Sequence, residues 1–139
     1  MKVKVEWQGD VAFKGIAANG SEVMMEGPPE LGGQERGPRP MEMLLLGAGG
    51  CSSFDVVSIL KKGRQAVEDV RVEIEAERAD EDPKIYTTIH MHFVVTGRDL
   101  AEKKVERAVN LSAEKYCSAS IMLGRVADLT HSFEIVELD

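Results

Sequence analysis

The chain has 139 residues, 43% of them hydrophobic, with a net charge of −7 and a pI near 5.0. That length and apolar share suit one compact domain around a single core. The acidic balance, with no basic patch against it, argues against nucleic-acid and anionic-membrane partners.

The N-terminal MKVKVEWQGD alternates charged and apolar residues and lacks the continuous apolar core of a signal peptide, so the chain is expected to be cytoplasmic. Val3, Val5 and Trp7 alternate with Lys2, Lys4 and Glu6; Gly9-Asp10 precedes a second run, 11–17, and Asn19-Gly20 a third, 21–26. The spacing predicts three short antiparallel strands. Residues 27–38 then carry four glycines and three prolines, a long connection of the kind that borders a site.

Pro40 suits a first helical turn, and Gly63, after Lys61 and Lys62, suits its end, so one helix is predicted over 40–62. Met43, Leu46, Gly47, Phe54 and Val57 project to one side and Leu44, Leu45 and Ala48 to another, leaving most of the circumference apolar. About 23 residues make a rod near 35 Å, as long as a compact chain of this size is wide. One small sheet does not cover such a rod on every side, and a homodimer is expected in which two such helices lie together. Gly47, Gly49 and Gly50 fit either close backbone approach or a kink. The charge-free apolar run Met43–Cys51 is far short of the roughly 20 residues that cross a bilayer, so no membrane span is expected.

Val70, Val72, Ile74 and Ala76 keep a period of two, as do Ile85, Thr87, Ile89, Met91, Phe93 and Val95 beyond a turn at Asp80–Pro83, giving two long strands. Asp99 is the expected cap of a second helix carrying Leu100, Lys104, Ala108 and Leu111, followed by a short third over 118–126 and a closing strand over 129–138. The order βββ-α-ββ-αα-β indicates an α+β fold with a mainly antiparallel sheet.

The chemistry rests on Cys51 and Cys117, the only thiols. They are too few for a four-sulfur zinc site and unsuited to a permanent staple in a reducing cytosol, which leaves redox chemistry or two inert buried thiols. A thiolate attacks a peroxide oxygen to become a sulfenic acid, which a second thiol captures as a disulfide. Burial of Cys51 on an apolar helix opposes its ionisation, so a cation or directed hydrogen bonds must favour the thiolate. Ser52 and Ser53 are possible donors, while Asp55, one turn along, opposes the thiolate unless paired. His90 and His92 share a strand face, with His131 on another strand; a polar face with Tyr86 and Thr88 is the plainer explanation, and no metal site is expected.

Together GPRPMEMLLLGAGGCSS and KYCSAS, with cysteines 66 residues apart, resemble the OsmC/Ohr family over essentially the whole chain. The resemblance implies a single OsmC-like domain over 1–139 and an intertwined α+β homodimer whose sheets wrap central helices. It also implies a cofactor-free thiol peroxidase in oxidative stress defence. Organic hydroperoxides are the implied substrates, Cys51 the peroxidatic thiol and Cys117 the resolving one, with a dithiol reductant closing the cycle. The family's hydroperoxide reductases carry a glutamate directly after the helix-opening proline; here Met41 stands there and Glu42 follows, nine residues from Cys51 and on roughly the opposite helix side. For the family's activating arginine the chain offers Arg39, preferred over Arg36, with Lys14 as a further cation. These departures place the chain nearer the less characterised OsmC-like branch. A non-catalytic alternative is a dimer whose apolar interface holds a small hydrophobic molecule, its cysteines structural.

Overall fold

Short alternating segments separated by turn residues build the N-terminal part of the chain, in a computed structural model that describes residues 1–139. Strands β1 (Lys4–Trp7), β2 (Ala12–Ile16) and β3 (Glu22–Glu26) form an antiparallel sheet in sequence order, with Trp7 opposite Phe13 and Ala12 opposite Glu26. The β1–β2 turn places both Gly9 and Asp10 at positive φ, and Gly20 at φ 90° turns β2 into β3. This sheet belongs to one compact unit, Met1–Leu45; a second comprises Leu46–Asp139.

The glycine- and proline-rich connection after β3 holds a single 3-10 turn at Pro29–Leu31 and is tied down by one side chain. Glu26, 1% exposed, accepts hydrogen bonds from the backbone N–H groups of Gln34 (2.7 Å) and Arg36 (3.0 Å). The Arg36 guanidinium donates to both Glu26 oxygens, at 3.0 and 3.1 Å. A buried carboxylate is tolerated because all these donors converge on it.

Helix α1 spans Pro40–Lys62, with the bounds its proline and terminal lysines announce. Ala48, Gly49, Ser52, Val56 and Leu60, at helical spacing, form one buried stripe. The helix lies close to the strand that follows: a Cβ at Gly49 would stand 3.1 Å from Ile74 and 3.2 Å from Val72. Gly49 thus permits the approach of a strand of the same chain, while Gly47 and Gly50 face open space. The opposite face stays uncovered, with Leu46 60% and Phe54 74% exposed. By length and composition α1 is able to cross a membrane, but its stripe is packed against the chain's own sheet and Asp55 interrupts its apolar run.

Strands β4 (Ala66–Arg78) and β5 (Tyr86–Arg98) form a long antiparallel hairpin, and β6 (Asp128–Glu137) adds to β5 in parallel. Three of the four strand pairings are thus antiparallel. The exception follows from the helical crossover between β5 and β6, which returns the chain to the end where β5 began. β5 is the central strand; Ile89, Met91, Phe93 and Val95 are buried on one face, while the other carries half-buried His90 and His92.

The crossover holds α2 (Glu102–Leu111), one π turn (Ser112–Tyr116) and α3 (Ser118–Gly124). Val105, Ala108, Val109 and Ser112 form its buried stripe. Asp99 does not cap α2: it adopts φ 52°, and its backbone N–H is taken by Glu137 Oε1 at 2.7 Å. An N-cap residue needs extended backbone, which Ala101 supplies at φ −79°, ψ 119°.

Candidate functional site

The site grows from the buried stripe of α1 meeting the π turn of the crossover. Cys51 and Asp55, four residues apart, share one helix face. The widened turn ends with the Cys117 N–H donating to Ser112 C=O at 2.8 Å, a five-residue closure that carries Cys117 to α1 before α3 begins. The Cys51 Sγ, the Cys117 Sγ and an Asp55 carboxylate oxygen all lie within 4.8 Å of one another.

The two thiols are not equivalent. Cys51 is half-buried, whereas Cys117 is fully buried, contacts Ala48 C=O at 3.8 Å and accepts the Ser120 N–H at 3.4 Å as the cap of α3. Burial pushes the Cys117 thiol above its ordinary pKa, opposed by the Ser120 hydrogen bonds and reinforced by neighbouring Cys51.

Asp55 has a partner. Ser112 Oγ donates to its Oδ2 at 3.0 Å and also approaches Ser52 C=O at 3.4 Å. Ser112 occupies the next position of the α2 stripe after Ala108 and Val109, so its buried hydroxyl must find acceptors, and α1 supplies them. Ser52 Oγ donates to its own helix at Ala48 C=O, 2.9 Å, and so is not directed at a thiol.

A groove of about 490 Å³ borders this cluster, lined by Phe54, Asp55, Ile59, Lys62, Arg107 and Tyr116 among others. Sequence reasoning missed Ser112, Ser120 and Arg107. Their signals were the serine within an apolar stripe, the Cys-x-x-Ser spacing of a cap, and an arginine four residues before Leu111 on the same helix.

The other site residues lie in the N-terminal unit. Glu42 Oε1 accepts the Arg39 backbone N–H at 2.9 Å, closing the first turn of α1, and approaches the Arg39 guanidinium at 3.8 Å. Arg39 also meets Glu35 at 3.6 Å. Arg36 is engaged by Glu26, and Lys14 pairs with Glu22 across the hairpin at 3.6 Å.

His90 and His92 meet at the Ser132 hydroxyl, but His131 does not join them. His90 bonds Thr130 and Ser132 at 2.7 and 2.9 Å, and His92 bonds Ser132 and Glu134 at 2.7 and 3.1 Å, a polar strand face. His131 stands in register with Met91, on the other face, and meets Asn110 at 2.9 Å.

A family profile described as OsmC-like protein matches residues 32–132. Protein YhfA of Escherichia coli K12 is 48% identical over 136 residues, 98% of each chain. A hypothetical protein from Aquifex aeolicus VF5 superposes with a TM-score of 0.87 at 35% identity, covering 99% of this chain and 97% of the other. The organic hydroperoxide resistance protein OhrB of Bacillus subtilis shares the fold, with a TM-score of 0.64, 18% identity and 96% of each chain covered.

Proposed function

Because the chain belongs to the OsmC-like protein family, we propose that it is a cysteine-based peroxidase that reduces organic hydroperoxides in defence against oxidative stress. The observation that carries this is the adjacency of two inequivalent thiols, one half-buried and one fully buried, beside a groove. The family match runs through both compact units, which supports reading 1–139 as a single OsmC-like domain.

Peroxide reaches the more exposed Cys51 first. Its thiolate attacks the distal oxygen of ROOH, the O–O bond breaks, and with one proton the products are ROH and Cys51 sulfenic acid. Cys117 then attacks the Cys51 sulfur; the S–O bond breaks, water leaves with the thiol proton, and a disulfide remains. A dithiol of the reducing cytosol restores both thiols by exchange and leaves as its own disulfide. Arg39 is the proposed cation for the Cys51 thiolate, oriented by Glu42, and the working unit is a homodimer that brings the charged pair to the thiols. No cofactor takes part.

The test is peroxide consumption, with a dithiol present, by wild type, Cys51→Ser and Cys117→Ser. Wild type should turn over and Cys51→Ser should not, while Cys117→Ser should oxidise once and then gain oxygen at Cys51 by intact mass. Arg39→Ala should slow the first oxidation about tenfold by removing the cation that favours the thiolate. Equal background rates in all variants would overturn the proposal and leave a hydrophobic-ligand binder as the alternative.

A further inference from the structure

Cys51, Asp55 and Cys117 also satisfy a different chemistry. Three donor atoms, two sulfurs and one carboxylate oxygen, lie within 4.8 Å of one another. Zinc bonds of about 2.3 Å to sulfur and 2.0–2.2 Å to oxygen set neighbouring donors of a tetrahedral ion about 3.5–3.8 Å apart. Side-chain rotation of about 1 Å is enough to close the set.

Two donors come from positions i and i+4 of one helix, the spacing by which helices present paired ligands to a metal. The third comes from the crossover. The Asp55 carboxylate is held by the Ser112 hydroxyl at 3.0 Å, the kind of outer hydrogen bond that orients a ligating group. Cys117 is buried, whereas Cys51 and Asp55 are only half-buried, which leaves the fourth position open to water from the surface. The net charge of −7 attracts cations.

We propose that the reduced chain binds one thiophilic divalent cation, Zn2+ in particular, through Cys51, Asp55 and Cys117. Both thiols lose their protons to solvent and two metal–sulfur bonds form, so no oxidant or reductant is needed. The same sulfurs supply the disulfide, so metal and disulfide are mutually exclusive, and a bound cation holds the thiols away from peroxide. The site stands on donor geometry and does not require peroxidase activity.

Co2+ titrated into the phosphine-reduced full chain is the direct test. One equivalent should produce near-ultraviolet thiolate-to-cobalt charge-transfer bands, Zn2+ should bleach them, and protons should be released. Cys51→Ser and Cys117→Ser should lose the bands. Asp55→Asn, which preserves shape, should keep them with affinity weakened at least about tenfold. Iodoacetamide-treated wild type should bind nothing. Absence of bands in wild type, wild-type bands in either serine variant, or unchanged affinity in Asp55→Asn would overturn the assignment. Failure of peroxide turnover with these bands intact would count against the peroxidase alone.

Discussion

Glu26 is the most strongly perturbed carboxylate of the chain, its pKa lowered from the usual carboxylate range to about 2, first by the Arg36 guanidinium and then by the Gln34 N–H. A depressed folded-state pKa stabilises the fold fully above the ordinary glutamate value and loses that stabilisation as pH falls toward 2. Thermal melts of wild type should therefore drop between about pH 4.5 and pH 2. Glu26→Gln should melt lower at neutral pH and show a shallower acid drop; an equally steep drop would remove Glu26 as its source. Arg36, a candidate activating cation by sequence, is thus explained as an anchor for the 27–38 connection. Nothing in its own sequence neighbourhood reveals that, because the buried partner lies ten residues earlier. The proximity of Cys51 to Asp55 was legible from helical spacing, while the pairing of Asp55 with Ser112 joins residues 57 positions apart and became visible only in three dimensions.

Helix α1 shows which local signals suffice. Its proline start and lysine end mark Pro40 and Lys62 because those groups answer the unpaired amides and carbonyls of helix termini. Its packing is not local: three glycines lie within four residues, yet only Gly49 faces a strand. Replacing Gly49 with leucine should cost roughly 1–3 kcal/mol through overpacking against Val72 and Ile74. Gly50→Ala, in open space, should gain about 0.5–1 kcal/mol of helix propensity. Urea denaturation of the two variants checks the contrast, and a Gly49→Leu variant as stable as wild type would contradict the packing. The crossover carries the opposite lesson, since helical spacing signals α2 and α3 but not the form of the turn between them. The π turn adds one residue per turn at Ser112–Tyr116, and Asp99 is drawn into a left-handed conformation by Glu137 on β6.

At the level of the whole molecule, the uncovered apolar surface is the feature to account for. Leu46, Phe54, Met122 and Val126 are each at least 60% exposed in the isolated chain, more than scattered surface residues call for. In the proposed homodimer these surfaces meet, so sedimentation should give twice the 15.2 kDa chain mass. Leu46→Glu combined with Phe54→Glu should return it to the monomer. A monomeric wild type would reject the dimer, and an intact dimer in the double variant would move the interface elsewhere. By itself the sequence determined the order of elements, the ends of α1 and the identity of the two thiols, because period, caps and residue chemistry are local properties. Only the tertiary structure decided that Cys51, Asp55 and Cys117 share one site, that β6 runs parallel to β5, and that His131 lies on the sheet face away from His90 and His92. Those outcomes depend on contacts between residues far apart in the chain, whose geometry comes from packing and carries no local pattern.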